Sequence, residues 1–327
     1  VIAGWKQLWG RAFTGGVQIT LLKVETPVCP RAHHAAGDSW AEVGITKDDG
    51  DEPEVSHGAL IIAKVKSAPQ GIFFKAGEGI GYVTKPGLPI PVGEPSINPV
   101  PRAMMEGVVT EMAAQFGQST DIAIPVSIPG GAALALKTWN PRLGIEGGLS
   151  ILGATGIFRP FRCAAWISSI HRGIDVARAD GLRHVAGCTG ATSEQVVQGL
   201  YDLPDHAMLD MGDFAGGLLK YLAKNPVARI TIGGGIGKMT KLAQGAMDLH
   251  SGRSQVDFKA LAAALNMPAL TDANPALAAY EMAGAALADH VAKGALNNIR
   301  SVLKATDIKS DIVVIDRAGT ILAKAGL

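Results

Sequence analysis

One stretch limits the fold more than any other. Residues 228–253 read ARITIGGGIGKMTKLAQGAMDLHSGR, a short apolar run that meets a glycine cluster and then a helical pattern. A strand passing through a glycine turn into a helix is the opening of a β-α-β unit, which commits the chain around it to a parallel sheet. Gly233, Gly234, Gly235 and Gly237 carry no Cβ, so this turn is expected to reach positive φ and to lie close to a ligand. A helix beginning near Lys238 would add unpaired N–H groups and partial positive charge at its first turn. Two stricter patterns are missed. A phosphate loop needs glycine at Ile232 and Ser or Thr at Met239, and the dinucleotide fingerprint needs a third glycine where Thr240 stands.

The turn has an echo. Gly77-Glu-Gly79-Ile80-Gly81-Tyr-Val-Thr84-Lys85 matches 233–241 at the glycines, the isoleucine and the Thr-Lys pair. One turn chemistry used twice, on two sides of one cleft, is the expectation. Pro86, Pro89, Pro91, Pro95, Pro99 and Pro101 then make 86–102 a stiff, extended strap that ends in Arg102. Asn140-Pro141-Arg142 presents a second arginine in the same way. Guanidinium forks suit carboxylates, so Arg102 and Arg142 are candidates for gripping an acidic substrate. Between two expected strands, 41–46 and 59–65, lies KDDGDEPEVSH (47–57), with five carboxylates and His57. Its spacing is not that of a calcium loop, and a shaped polar loop with no bound metal is expected.

From residue 162 helices and strands alternate regularly. Strands are expected at 183–186 and 207–211, helices at 213–223 and 275–293, with Asn274 as a cap, and a hairpin at 311–324. Ser193 is the expected cap of the helix after the Gly187–Gly190 turn. Asp210 falls twenty residues past Gly190, the separation at which a carboxylate takes ribose hydroxyls in nucleotide-binding sheets. The fold class is therefore α/β: an N-terminal α+β two-layer domain over 1–159 and a Rossmann-like three-layer domain with a mostly parallel sheet over 160–327. Ligands of such sheets sit beyond the carboxyl ends of the strands, where the turns at 187–190, 210–213 and 233–237 would converge.

With 30 Lys and Arg against 29 Asp and Glu, the chain has no global field for nucleic acid or an anionic membrane. No apolar run nears the roughly 18 residues of a membrane span. Cys29, Cys163 and Cys188 show no CxxC pair, so neither a disulfide framework nor a zinc site is expected, and a cytoplasmic location fits.

The segments 47–61, 77–102, 138–157, 188–194, 211–220 and 233–251 resemble the CbiD family, the cobalt-precorrin-5B C1-methyltransferases of anaerobic cobalamin synthesis. One departure is that the family opens with a Gly-Thr-Thr-Gly-Thr-Cys-Ala-rich segment where this chain reads VIAGWKQLWGRAF. The resemblance implies methyl transfer from S-adenosylmethionine to ring carbon C1 of cobalt-precorrin-5B, giving cobalt-precorrin-6A, and two α/β domains. It identifies no catalytic residue. Loop geometry assigns Gly187, Gly190, Asp210 and Asp213 to the adenosyl group. It assigns Gly235, Gly237, Lys238 and Lys241 to the cofactor carboxylate or a substrate arm. His57, Lys85, Arg102 and Arg142 are the candidates for the corrinoid. A nicotinamide-dependent oxidoreductase and a non-catalytic tetrapyrrole-binding protein are the competing readings.

Overall fold

The computed structural model describes residues 1–10, 17–18, 28–29, 31–49, 55–152, 163–273 and 275–326, which fall into two compact units, Val1–Arg162 and Cys163–Leu327. The boundary expected at 159/160 lies outside the described residues, as do Asn274 and residues 50–54 of the acidic loop.

In the first unit, helix α1 (Ile2–Leu8) precedes a two-stranded ribbon, β1 (Val17–Gln18) and β2 (Val28–Cys29). A five-stranded sheet follows, built from β3 (His33–Gly37), β4 (Trp40–Thr46), β5 (Leu60–Ser67), β6 (Ile72–Ala76) and a later strand, β8 (Ile122–Ser127), in the order β3-β4-β5-β8-β6. Only the β6–β8 pair is parallel. Strand alternation sends Val65, Ile122, Ile124 and Val126 to one face, where Trp5 of α1 and Val109 and Met112 of α2 (Pro99–Phe116) cover them. Strands β7 (Tyr82–Val83) and β9 (Ile145–Glu146) pair beside the short helix α3 (Gly131–Ala135).

Two expectations are corrected here. Helix α2 starts at Pro99, inside the strap that was expected to be extended through residue 102. Proline is tolerated there because first-turn amides have no helical partner to lose. The glycines of the 77–81 turn, for their part, face neighbouring backbone and side chains. Gly79 has φ 72°, and a Cβ on it would lie 2.0 Å from the Ile128 carbonyl oxygen. A Cβ on Gly131 would lie 2.4 Å from the Gly79 oxygen, and one on Gly148 2.3 Å from it. Three backbones meet at a point where no side chain fits. The glycines of this copy are spent on packing.

The second unit contains α4 (Cys163–Ala179), β10 (His184–Cys188), α5 (Ala191–Tyr201), α6 (Ala215–Leu222), β11 (Arg229–Gly235), α7 (Ile236–Ala243), α8 (Phe258–Leu265), α9 (Ala276–Leu303), β12 (Lys309–Ile315) and β13 (Ile321–Ala325). Its sheet runs β10-β11-β12-β13, parallel except for β13. Ile230, Ile232, Ile312 and Val314 bury against α4, α6, α7 and α9, while Ala186, Cys188, Val313 and Ile315 bury against α5 on the other face. Residues 207–211 form no strand; Met208 makes a single bridge to Ala186, and Leu209 N–H donates to the Ala186 carbonyl at 2.7 Å. Helix α7 stops at Ala243, where Gly245 soon turns to φ 94°.

A buried polar cluster ties the entry ends of the three parallel strands. Asp311 of β12, 1% exposed, accepts from Arg229 of β11 at 2.9 and 3.0 Å, from Thr231 Oγ1 at 2.6 Å and from Tyr201 Oη of α5 at 2.9 Å. His184 of β10 reaches Thr231 Oγ1 at 2.8 Å. A carboxylate this well satisfied fixes register, and its loss leaves the half-buried Arg229 without a counter-ion and Thr231 and Tyr201 without their acceptor. Asp311→Ala is therefore expected to cost about 3 kcal/mol in chemical denaturation of the full chain. An unchanged unfolding midpoint would contradict this.

Candidate functional site

Strands β10, β11 and β12 are parallel, so all three deliver their carboxyl ends to one edge of the sheet. β10 leaves through Thr189–Gly190 into α5, β11 passes at Gly235 into α7, and β12 turns at 316–320 into β13. The glycine cluster decides how tightly these exits pack. A Cβ on Gly233 would lie 2.5 Å from Val197 Cγ2 of α5, and one on Gly234 would lie 2.7 Å from both Thr189 Cγ2 and Oγ1. With bare backbone there, Thr189 N–H donates to the Gly233 carbonyl at 3.0 Å. The expectation of positive φ is corrected, since none of Gly233, Gly234, Gly235 and Gly237 adopts it. Close approach, not left-handed backbone, is what the cluster provides, so the 77–81 echo is one of sequence and not of conformation.

Lys238 fastens the exits together. Its Nζ donates to the Thr189 carbonyl at 3.0 Å and pairs with Asp213 at 3.0 Å. Lys241 Nζ donates to the Leu249 carbonyl at 3.0 Å. A groove of about 520 Å³ opens at this edge, walled by Thr189–Ser193, Gly235–Lys238, Pro275–Leu277 and Ile315–Arg317. A second hollow of about 330 Å³ shares Gly237, Lys238 and Ala276 with it and reaches Asp213, Lys241, Leu249 and His250. The first turns of α5, α7 and α9 all face the larger groove, and none of these helices has a side-chain cap. Ser193, the expected cap, sits in the first turn and donates to the Gly190 carbonyl at 2.7 Å, so Gly190 holds the cap position.

Of the residues singled out in the sequence, Gly190, Gly235, Gly237, Lys238, Asp213 and Lys241 line one hollow or both. Gly187 does not. It lies inside β10, where a Cβ would meet Leu218 Cδ1 at 2.7 Å, and its bareness serves the core. Asp210 lines neither hollow; its carbonyl accepts from Trp166 Nε1 at 2.8 Å, and it ends no strand. Residues 207–211 run beside β10 through one parallel bridge and not as a full strand. Asp316, Arg317 and the first turn of α9 were missed. They belong to the third parallel strand's exit and to a helix more than thirty positions earlier, so their signal is visible only once the strand order is known.

In the first unit, Asp49, 2% exposed, pairs with Lys47 at 2.8 Å, and Lys47 also donates to Ser56 Oγ at 2.7 Å. One carboxylate of the acidic loop is thus buried, not solvated. Asp49 N–H donates to Nδ1 of the exposed His57 at 3.3 Å. The stem of Lys85 lies over Gly144, and Arg142 stands with its guanidinium 5.1 Å from the Trp139 ring centre. Arg102 corrects its expectation. Its fork donates to the carbonyls of Ile97 at 2.8 Å and Pro95 at 3.0 Å and to Glu94 at 3.3 Å, so it locks its own strap. Among the described residues no group of three or more His, Cys, Asp or Glu is placed to hold a metal ion, and no helix is long and apolar enough to cross a membrane.

These features define a mixed α/β protein whose second unit carries a mostly parallel sheet with a groove at its carboxyl edge. The CbiD family model matches residues 1–160. A cobalt-precorrin-5B C(1)-methyltransferase from Brucella anthropi is 52% identical over 325 residues, covering 95% of this chain and 88% of that protein. One from Paramagnetospirillum magneticum is 50% identical over 329 residues, covering 97% and 92%. A crystal structure of a cobalamin biosynthesis protein (CbiD) from Archaeoglobus fulgidus aligns with a TM-score of 0.37 at 21% identity, over 73% of this chain and 74% of that one. The chain belongs to the CbiD family.

Two outcomes follow from the packing at the strand exits. Gly233→Ala should lower stability by about 1–3 kcal/mol, because Val197 cannot retreat without moving α5; a thermal melt matching the parent would refute the close-approach account. Burial beside the sheet pushes the Cys188 thiol up. Iodoacetamide on the native protein is expected to leave Cys188 unmodified by mass spectrometry, and rapid labelling of it would refute its burial.

Proposed function

We propose that this chain transfers a methyl group from S-adenosylmethionine to ring carbon C1 of cobalt-precorrin-5B, giving cobalt-precorrin-6A. The observation that carries the reading is the 50–52% identity, over nearly the whole chain, to proteins named for that reaction. The second unit, read as a Rossmann-like domain, is assigned the methyl donor. Its larger groove, about 520 Å³, has the size and the mixture of apolar wall and unpaired helix-terminal amides that a nucleoside joined to an amino acid requires.

When bound, S-adenosylmethionine supplies a methyl group already activated on a sulfonium. What remains for the protein is positioning, which can contribute several kcal/mol to a displacement whose partners must be aligned. Gly190, Gly235 and Gly237 keep the groove wall at backbone level, and Lys238 holds the β10 and β11 exits at a set separation while Asp213 balances its charge. Ala191, Ala276 and Leu277 supply the apolar part of the wall. A precorrin carries several carboxylate arms, and His57, Lys85 and Arg142 of the first unit are the side chains we assign to them. Arg102, engaged within its own strap, is withdrawn from that set.

Incubation of the full chain with cobalt-precorrin-5B and methyl-labelled S-adenosylmethionine is expected to give a product heavier by one labelled methyl group. Corrinoid binding without transfer would favour a carrier. NAD binding without any response to the sulfonium would favour an oxidoreductase.

A further inference from the structure

The methyl donor ends in an α-amino acid, and the two lysines assigned to its carboxylate from the sequence are already engaged. Lys238 is paired with Asp213 and bonded to the Thr189 carbonyl, and Lys241 is bonded to the Leu249 carbonyl. A third cation stands on the same groove. Arg317, in the turn between β12 and β13, lines the wall and is exposed, and among the described residues it has no hydrogen bond or ion pair. Its turn is not loose. Asp316 N–H donates to the Thr320 carbonyl at 3.0 Å, Thr320 N–H donates to Asp316 Oδ1 at 2.8 Å, and a Cβ on Gly319 would already meet Val196 Cγ2 of α5 at 3.2 Å. The guanidinium is thereby carried on a loop docked against the helix whose uncapped first turn forms the facing wall.

A second feature of the groove points to a ligand. Thr189 is nine-tenths buried, and its amide and carbonyl are spent on Gly233 and Lys238. Its hydroxyl has no partner among the described residues, yet Thr189 lines the groove. The hydroxyl oxygen is not shut off from solvent, so it adds an unengaged hydrogen-bonding group to the groove wall. Asp316 contributes the opposite charge at the same rim, held ionised by the Thr320 amide.

We infer that the Asp316–Arg317 turn is the clamp for the amino-acid end of the methyl donor, with Arg317 taking the carboxylate beside the first-turn amides of α5 and Asp316 facing the ammonium. The inference rests on the cofactor reading above and adds to it a residue pair on the third strand's exit. A zwitterion matched by an adjacent acid and base is selected over a ligand carrying only one of the two charges. A ligand that carries an anion but no adjacent ammonium would engage Arg317 alone and gain nothing from Asp316.

Calorimetric titration of the full chain with S-adenosylmethionine and with its decarboxylated counterpart, which differs only by the carboxylate, tests the assignment. The parent protein is expected to prefer the carboxylated compound by roughly tenfold to hundredfold, the range of a charge-assisted hydrogen-bonded pair. Arg317→Ala should bring that ratio close to one while leaving affinity for the decarboxylated compound nearly unchanged, and Arg317→Lys should keep part of it. A preference undiminished in Arg317→Ala would overturn the clamp and leave the cofactor reading standing. An equal loss of both compounds would also overturn it, because a merely structural turn would act that way. If the parent binds neither compound, the cofactor reading itself falls.

Discussion

The groove exists because the last residues of β11 have no side chains. Gly233 and Gly234 allow Val197 and Thr189 to sit at distances where any Cβ would intrude, so α5 and the β10 exit close onto the central strand. Everything at the carboxyl edge follows from that contact. The first turns of α5 and α7 come to face one space, and Lys238 can reach the Thr189 carbonyl from one helix while pairing with Asp213 from another loop. An added methyl group at Gly233 would have to be absorbed by a helix, not by the free end of a flexible chain, which is why the position tolerates so little.

Charge in the second unit is distributed between its two ends. At the entry ends of the strands, Arg229 and Asp311 neutralise each other in a buried network that also satisfies Thr231 and Tyr201. That cluster has no vacancy for a ligand, and its value lies in register. At the exit ends, by contrast, one lysine is balanced by an acid, amides at three helix starts have no helical partner, and an arginine stands without an ion pair among the described residues. An anionic group is stabilised by such a setting and a neutral one is not. The polarity of the sheet thus places structure at one edge and capacity for binding at the other.

Much of this was legible in residue order. The alternation beyond residue 162, the strands β4, β5, β10 and β11 and the helix α6 follow from local periodicity, and Gly235 to Lys241 were recognisable as a strand-to-helix turn. What sequence could not show is which glycines face a neighbour and which face a ligand. Gly79 and Gly131 exclude side chains because two backbones touch, and Gly187 makes room for Leu218, yet in the sequence they look the same as Gly190 or Gly237. The stretch before Asp210 likewise has the composition of a strand but makes one bridge instead. Arg102 looked available because a proline-rich segment suggests an extended chain, whereas Pro99 opens a helix and the guanidinium folds back on the carbonyls before it. Arg317 drew no notice as part of a short hairpin turn, and only the order β10-β11-β12-β13 puts that turn on the groove.

The central claim is that the methyl donor occupies the carboxyl edge of the second unit's sheet, between the starts of α5, α7 and α9. A crystal structure of the full chain grown with S-adenosylhomocysteine, the demethylated product, tests it most directly. The account requires density for the thioether compound in that groove, with its sulfur open to solvent or substrate. Density in the first unit, or on a surface of the second unit away from Gly190, Gly235 and Lys238, would contradict it.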